Sequence, residues 1–365
     1  MYIVIFASLL ALYFTYLESR NSMKNGMKWG FILVTFLAVI HYDYGNDYMS
    51  YYHLYEDVVN QPFNLRSVLD GDYYHEPGWV LLCFVFKYLG GFFALVAVLS
   101  IVQAIIIYKF IKSEVSPKNY TTAVFIYLFV TSFYLLGLSM LRQWFVACVF
   151  LGLWPLIKKR KWLVPLIVLF LCTFIHSSSR VLLPFAFWGF LPLQKSKKIY
   201  AVFLTLFIIL LSIFAEWAND LFADAISLTE GDIYIERYGT NNVDTTIGIG
   251  FIIQLIPFFV GLNYFFGYQK HPQDEYLMVA LSILGFALLP IMQISPAVGR
   301  LGIYFSIFQI TTLPTIYGEI RDARLRIGLW SLFVIVTLFN YYIFFTKGVY
   351  VEYYHTFKTI FPQIF

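Results

Sequence analysis

Arg142, Arg180 and Arg300 stand in or beside the short turns 138–143, 176–180 and 295–300, each next to an apolar run, and His176 shares the stretch FIHSSSR at 174–180. A guanidinium is a planar donor fork that takes two phosphate oxygens at once and keeps its charge at any relevant pH. Taken singly, each arginine could be snorkelling to the headgroup level. Together, and joined by Arg237 and by Gln143 beside Arg142, they point to one shared anion, which a lipid-linked phosphate or pyrophosphate would supply. Asp47 and Glu76 bracket a polar loop, with Glu76 directly before Pro77, and are candidate proton acceptors; Glu56, Asp57, Asp70 and Asp72 in mid-loop read as solvated acids. His176 could cap its helix or transfer a proton, since an imidazole of ordinary pKa, about 6.5, works in either form. The chemistry these types suit is transfer of a group away from a diphosphate to a hydroxyl that must lose a proton.

Metal and cofactor chemistry is not expected. There is no H-E-x-x-H and no Cys/His quartet, and the D-Y-Y-H-E run at 72–76 lacks a diagnostic ligand spacing. Cys83, Cys148 and Cys172 each sit alone in an apolar run, as small core residues do. Gly-rich phosphate loops and G-x-S-x-G elbows are absent, so Ser177 to Ser179 are poor nucleophiles.

The elements that must carry these groups are membrane helices. Hydrophobic residues make up 60% of 365 and charged ones 13%, with a mean hydropathy of +0.72; soluble domains carry about 25% charged residues. The stretch 141–180 reads as a helical hairpin, two apolar runs around the cationic knot Lys158 to Lys161. Short loops rich in Lys and Arg stay cytoplasmic, so the hairpin's open ends, with Arg142, Gln143, His176 and Arg180, face the outside. The same rule orders the whole chain. Linkers 18–28, 109–118, 158–161, 195–198, 270–275 and 319–326 hold 17 of the 25 Lys and Arg and six of the 21 acids, whereas 43–76, 216–244 and the tail hold the other 15 acids. Both termini are therefore expected outside.

Apolar runs of roughly spanning length lie at 2–17, 29–44, 91–111, 120–137, 142–157, 162–175, 181–193, 199–215, 247–266, 276–294, 301–317 and 328–346. The run 77–89 would make the crossings even where an odd number is required; it is short and ends at Gly90-Gly91, so it reads as a re-entrant or interfacial helix. The expectation is an all-α polytopic protein, one integral membrane domain over 1–365 with about 12 transmembrane helices and external loops 45–76 and 216–245. Aromatics reach 21%. Most belong to interfacial belts and helix packing, and Tyr44, Tyr48, Trp79, Trp144 and Tyr304 are candidates to stack on sugar rings.

The ordered set HYDYGNDYMSYY at 41–52, HEPGWVLL at 75–82, MLRQWFVA at 140–147, FIHSSSRVLLP at 174–184, RY at 237–238 and GRLGIYF at 299–305 resembles the EpsG/Wzy-type family of bacterial polysaccharide polymerases. The resemblance covers almost the whole chain. It implies a GT-C-like glycosyltransferase of the inner (cytoplasmic) membrane, multi-pass, with its active site facing the periplasm. It would build O-antigen, capsule or exopolysaccharide by moving a growing glycan from undecaprenyl pyrophosphate onto a second lipid-linked repeat unit, without a metal. On that reading Glu76, Asp47 and His176 are catalytic, and Arg142, Gln143, Arg180, Arg237, Arg300, Tyr304, His41 and Tyr48 bind substrate. The chain departs from the pattern where relatives have Arg four residues before the Gly of G-x-D-Y: His41 precedes Gly45 here, and Arg180 is the candidate replacement. The implied partners are the undecaprenyl-pyrophosphate-linked oligosaccharide and membrane lipid, with a chain-length regulator and a flippase as candidate protein partners and no nucleic acid. A transporter or flippase of lipid-linked oligosaccharide is the alternative, although transport favours polar groups on broken helices near the midplane of two related halves. A multispan acyltransferase comes third.

Overall fold

The computed structural model describes residues 1–73, 76–213, 254–267, 270–288, 296–347 and 350–364. The protein is mostly helical, and the one sheet among the described residues is a two-residue pairing. Backbone packing divides the chain into two compact units, Met1–Gly152 with Leu171–His176 and Ile327–Phe365, and Leu153–Phe170 with Ser177–Arg326.

In the first unit, α1 (Tyr2–Ser19) and α2 (Gly26–Ile40) form a hairpin. A Cβ on Gly30 would lie 2.8 Å from the Ala11 carbonyl oxygen, so the two backbones touch there. α1 buries Val4, Ala7, Ser8, Ala11 and Thr15 on one stripe, yet its other face carries exposed Ile3, Phe6, Leu9 and Tyr13. Apolar residues all round a helix mark one that faces lipid as well as protein. After β1 (His41–Tyr42) come α3 (Tyr48–Val59), α4 (Leu65–Asp70), α5 (Pro77–Lys87) and α6 (Gly91–Glu114). These share a core built on Tyr48, Tyr55, Trp79, Phe84, Phe92 and Leu95. The chain reverses between α5 and α6 at Gly90 and Gly91, whose φ of +107° and +79° only glycine adopts without strain. At eleven residues, α5 is about 16 Å long, half the depth of a hydrocarbon core.

α7 (Tyr120–Phe129), α8 (Tyr134–Gly137) and α9 (Leu141–Ile157) follow, then α10 (Leu163–Cys172) and a 3-10 helix over Ser177–Phe190. The second unit continues with α11 (Leu193–Ile213), α12 (Ile256–Phe266), α13 (Gln273–Ala287), α14 (Pro296–Ser306) and α15 (Gln309–Gly318). α16 (Ala323–Thr346), α17 (Val351–Tyr354) and β2 (Lys358–Thr359) end the chain, with β2 antiparallel to β1 in the register His41↔Thr359. Inside the second unit, Trp188 donates to the Leu277 carbonyl at 2.9 Å and Thr312 to Ser282 at 2.7 Å, polar ties of the kind that hold helices together in lipid.

Among the described residues α1, α6 and α16 are long and apolar enough to cross a membrane, while α2, α5, α9, α10 and α12 are apolar but shorter. Several expected runs are interrupted. The run 120–137 breaks between α7 and α8, where Val130 turns to an extended conformation. The run 301–317 is split between α14 and α15, and 181–193 is wound as part of a 3-10 helix of 14 residues. At about 2.0 Å per residue that tighter winding covers roughly 28 Å, against about 21 Å for the same residues wound as α-helix. Hydropathy reads apolarity and is blind to these breaks.

The predicted charge grouping is visible within the first unit. At one end Lys112 pairs with Glu18 at 3.6 Å and Ser19 bonds Thr121 at 2.8 Å, joining the linkers 18–28 and 109–118. At the other end the Met1 ammonium donates to the His355 carbonyl at 2.7 Å, Lys358 pairs with Asp43, and the Asp47 backbone N–H donates to Ser139 at 2.8 Å. Both termini of the chain thus lie beside the acidic loop.

Candidate functional site

Three polar side chains meet at that acidic end of the first unit. Glu76 precedes Pro77, whose fixed φ opens α5; Arg142 lies in the first turn of α9; His176 follows α10. The N–H groups of Gly78 and Trp79 both donate to the Phe174 carbonyl, at 2.7 and 3.2 Å, and this brings the start of α5 to the end of α10. A Cβ on Gly78 would sit 2.7 Å from that same oxygen, so the E-P-G sequence needs its glycine for the approach.

The Glu76 carboxylate lies between the two other groups. Oε2 accepts from Arg142 Nη1, and Oε1 is 3.5 Å from His176 Nδ1. Their side chains are only 19%, 16% and 11% exposed for Glu76, Arg142 and His176, so water screens the charges little. The Arg142 guanidinium lies over the rings of Tyr51 and Trp79, at 5.3 and 5.8 Å from their centroids. Burial alone would push the Glu76 carboxyl up, but the His176 contact and the charge of Arg142 outweigh it and hold the group well below the usual carboxylate range. A carboxylate so held is a weak base. Arg142 Nε–H and Trp79 Nε1–H are buried with no acceptor among the described residues. Orphaned buried N–H groups are rare and costly, and both of these are donors, the type an incoming phosphate oxygen would satisfy.

The loop 43–47 is fastened alongside. Gly45, at φ +140°, lies flat on Ser139, and a Cβ there would be 2.7 Å from the Ser139 Cβ. Ser139 donates to Asn46 at 2.9 Å and accepts from the Asp47 N–H, three residues ahead of Arg142. His41 is fully buried, with ring nitrogens 2.6 and 3.1 Å from the Ala38 and Leu138 carbonyls, and Tyr48 donates to the His41 carbonyl at 3.1 Å. As they stand His41 and Tyr48 present no surface to a substrate; they support the loop. Gln143 is likewise buried beside Arg142.

In the second unit, Arg180 is exposed in the 3-10 helix, and Tyr304 is fully buried with its hydroxyl 3.0 Å from Ser178. Arg300 lies in α14, and Arg237, with the loop 216–245, falls outside the described residues. Tyr44, Tyr48, Trp79, Trp144 and Tyr304, the candidates for stacking on sugar rings, are all at most 3% exposed and packed in the core. Tyr51, Gly78 and Ser139 were missed by sequence reasoning. Only Gly78 left a signal, a glycine following Glu-Pro; Tyr51 is one tyrosine among 29, and nothing marks Ser139.

A family model described as the EpsG family matches residues 27–358, nearly the whole chain. No curated protein and no solved structure matches it.

Proposed function

Because the chain belongs to the EpsG family, we propose that it is a polysaccharide polymerase of the bacterial inner membrane, a GT-C-like frame of about twelve spans working on the periplasmic side. In this reaction the bond from the anomeric carbon to the pyrophosphate of undecaprenyl pyrophosphate breaks. A new bond forms to a hydroxyl of a second lipid-linked repeat unit, whose proton passes to the enzyme. The observation that carries the proposal is the meeting of Glu76, Arg142 and His176, with two orphaned N–H donors, at the acidic end of the first unit.

Roles follow from the pairing. Negative charge grows on the leaving pyrophosphate, and a preorganised guanidinium lowers that barrier without a metal ion. Arg142, flanked by the rings of Tyr51 and Trp79, supplies it by turning from Glu76 to a phosphate oxygen. His176 takes the acceptor's proton, oriented by Glu76 at Nδ1. Asp47 is the second candidate base. Arg180, Arg237 and Arg300 remain candidate anion ligands on the strength of the family resemblance.

Incubating purified protein with a single lipid-linked repeat unit and a chelator tests this. A ladder of products with released undecaprenyl pyrophosphate is expected. Movement of the intact lipid across a vesicle membrane with no ladder would replace the polymerase by the flippase.

A further inference from the structure

The hairpin of α1 and α2 carries an open groove of about 460 Å³ on its outer surface, walled by Leu10, Phe14, Met23, Trp29, Leu33 and Phe36. Every wall is apolar. From Trp29 to Phe36 the groove runs about 10 Å along α2, within the roughly 15 Å depth of one leaflet. One end lies at the connector between the helices, since Met23 belongs to it and Trp29 to the first turn of α2. That connector is cationic: Arg20, Lys24 and Lys28 are exposed, and among the described residues none of them forms an ion pair. Glu18, at the end of α1 beside the connector, is already engaged: it pairs with Lys112 and accepts the Met27 N–H at 2.7 Å. Net positive charge therefore stands at the mouth of an apolar channel, and a Trp side chain, which favours the headgroup level, flanks it.

We propose that this groove is a binding site for an anionic phospholipid, with an acyl chain along α1 and α2 and the phosphate held by Arg20, Lys24 and Lys28. The connector meets the 109–118 linker, at the end of the first unit opposite to Glu76, Arg142 and His176. By the charge rule that end faces the cytoplasm, so the occupant is an inner-leaflet lipid and not the glycan carrier used at the other face. Its role is to lock the first helical hairpin, whose far end, at His41, carries the 43–47 loop.

The test uses the full chain in detergent, with native mass spectrometry reading retained lipid and thermal unfolding reading stability, against phosphatidylglycerol, phosphatidylcholine and undecaprenyl phosphate. One equivalent of phosphatidylglycerol should be retained, preferred over phosphatidylcholine on the order of 100-fold, as three cations near a phosphate would give. The exposed triple variant Arg20→Gln/Lys24→Gln/Lys28→Gln should lose that preference while still folding, and Leu33→Trp, which fills the groove, should lose retention itself. Equal retention of both phospholipids, a preference that survives both variants, or tighter binding of undecaprenyl phosphate than of phosphatidylglycerol would each overturn the proposal.

Discussion

Two clusters in this protein are built from the same residue types and differ in what completes them. In the first unit His176 and Glu76 meet Arg142. In the second, His271 stands between two glutamates, 3.4 Å from Glu275 and 3.6 Å from Glu319, and ties α13 to the end of α15. That second cluster is saturated by its neighbours: Tyr264 donates to Glu275 at 2.7 Å and stacks on the His271 ring at 4.4 Å, while Lys197 donates to the Gly267 carbonyl at 2.7 Å and to the Tyr276 hydroxyl at 3.1 Å. Asp274, next to it on α13, pairs with Lys158 at 4.0 Å. The first cluster has instead a guanidinium with aromatic rings beside it and two buried donors that lack acceptors among the described residues. A polar cluster whose donors are all spent fastens helices; one that keeps donors in reserve can receive an anion.

Breaking the first cluster should have the largest effect. Arg142→Ala should abolish polymer and cost about 3–5 kcal/mol of stability, because a buried carboxylate is left unpaired. The double variant Arg142→Met/Glu76→Gln should recover most of that stability in thermal unfolding and none of the activity. Arg142→Lys should also be inactive, since a point charge does not fork onto a phosphate. A polymer of normal length from Arg142→Ala would remove the guanidinium from the mechanism.

His176→Gln separates chemistry from packing. Loss of roughly 10²–10⁴-fold in polymerisation is expected with little change in unfolding temperature, and residual activity should lose its decline on the acid side. An unchanged pH profile would return the proton to Asp47 or Glu76. Gly78→Ala comes next: shifting the start of α5 off Phe174 displaces Glu76, and a misplacement of about 1 Å can cost on the order of 10²-fold.

A smaller effect belongs to acid stability. Glu76 is held below its ordinary pKa, so its contribution to folding is complete above the unfolded value of about 4.3 and is lost as pH falls through the lower folded value. Unfolding midpoints of wild type should fall in that acid window, and those of Glu76→Gln should be flatter there. The smallest change is expected from Glu319→Gln in the saturated cluster, about 1 kcal/mol or less with polymer intact. Loss of polymer there would erase the distinction between the two clusters.

The sequence by itself determined the class, the charge grouping and the family. Hydropathy and the placement of Lys, Arg, Asp and Glu are set by the cost of burying charge in lipid, and that cost is written residue by residue. It therefore reached the apolar helices and the end of the first unit at which Asp43, Asp47, Glu76 and Arg142 gather. The tertiary structure decided what those residues do to one another. That Arg142 and His176 both close on Glu76, and that Tyr48, Trp79 and Tyr304 are buried in the core, depends on contacts between distant segments, such as Glu76 with Arg142, 66 residues apart, and Ser178 with Tyr304, 126 apart. Such contacts are fixed by close approaches such as Gly78 on Phe174 and Gly45 on Ser139, and a distance between two backbones leaves no periodicity in a chain to be read.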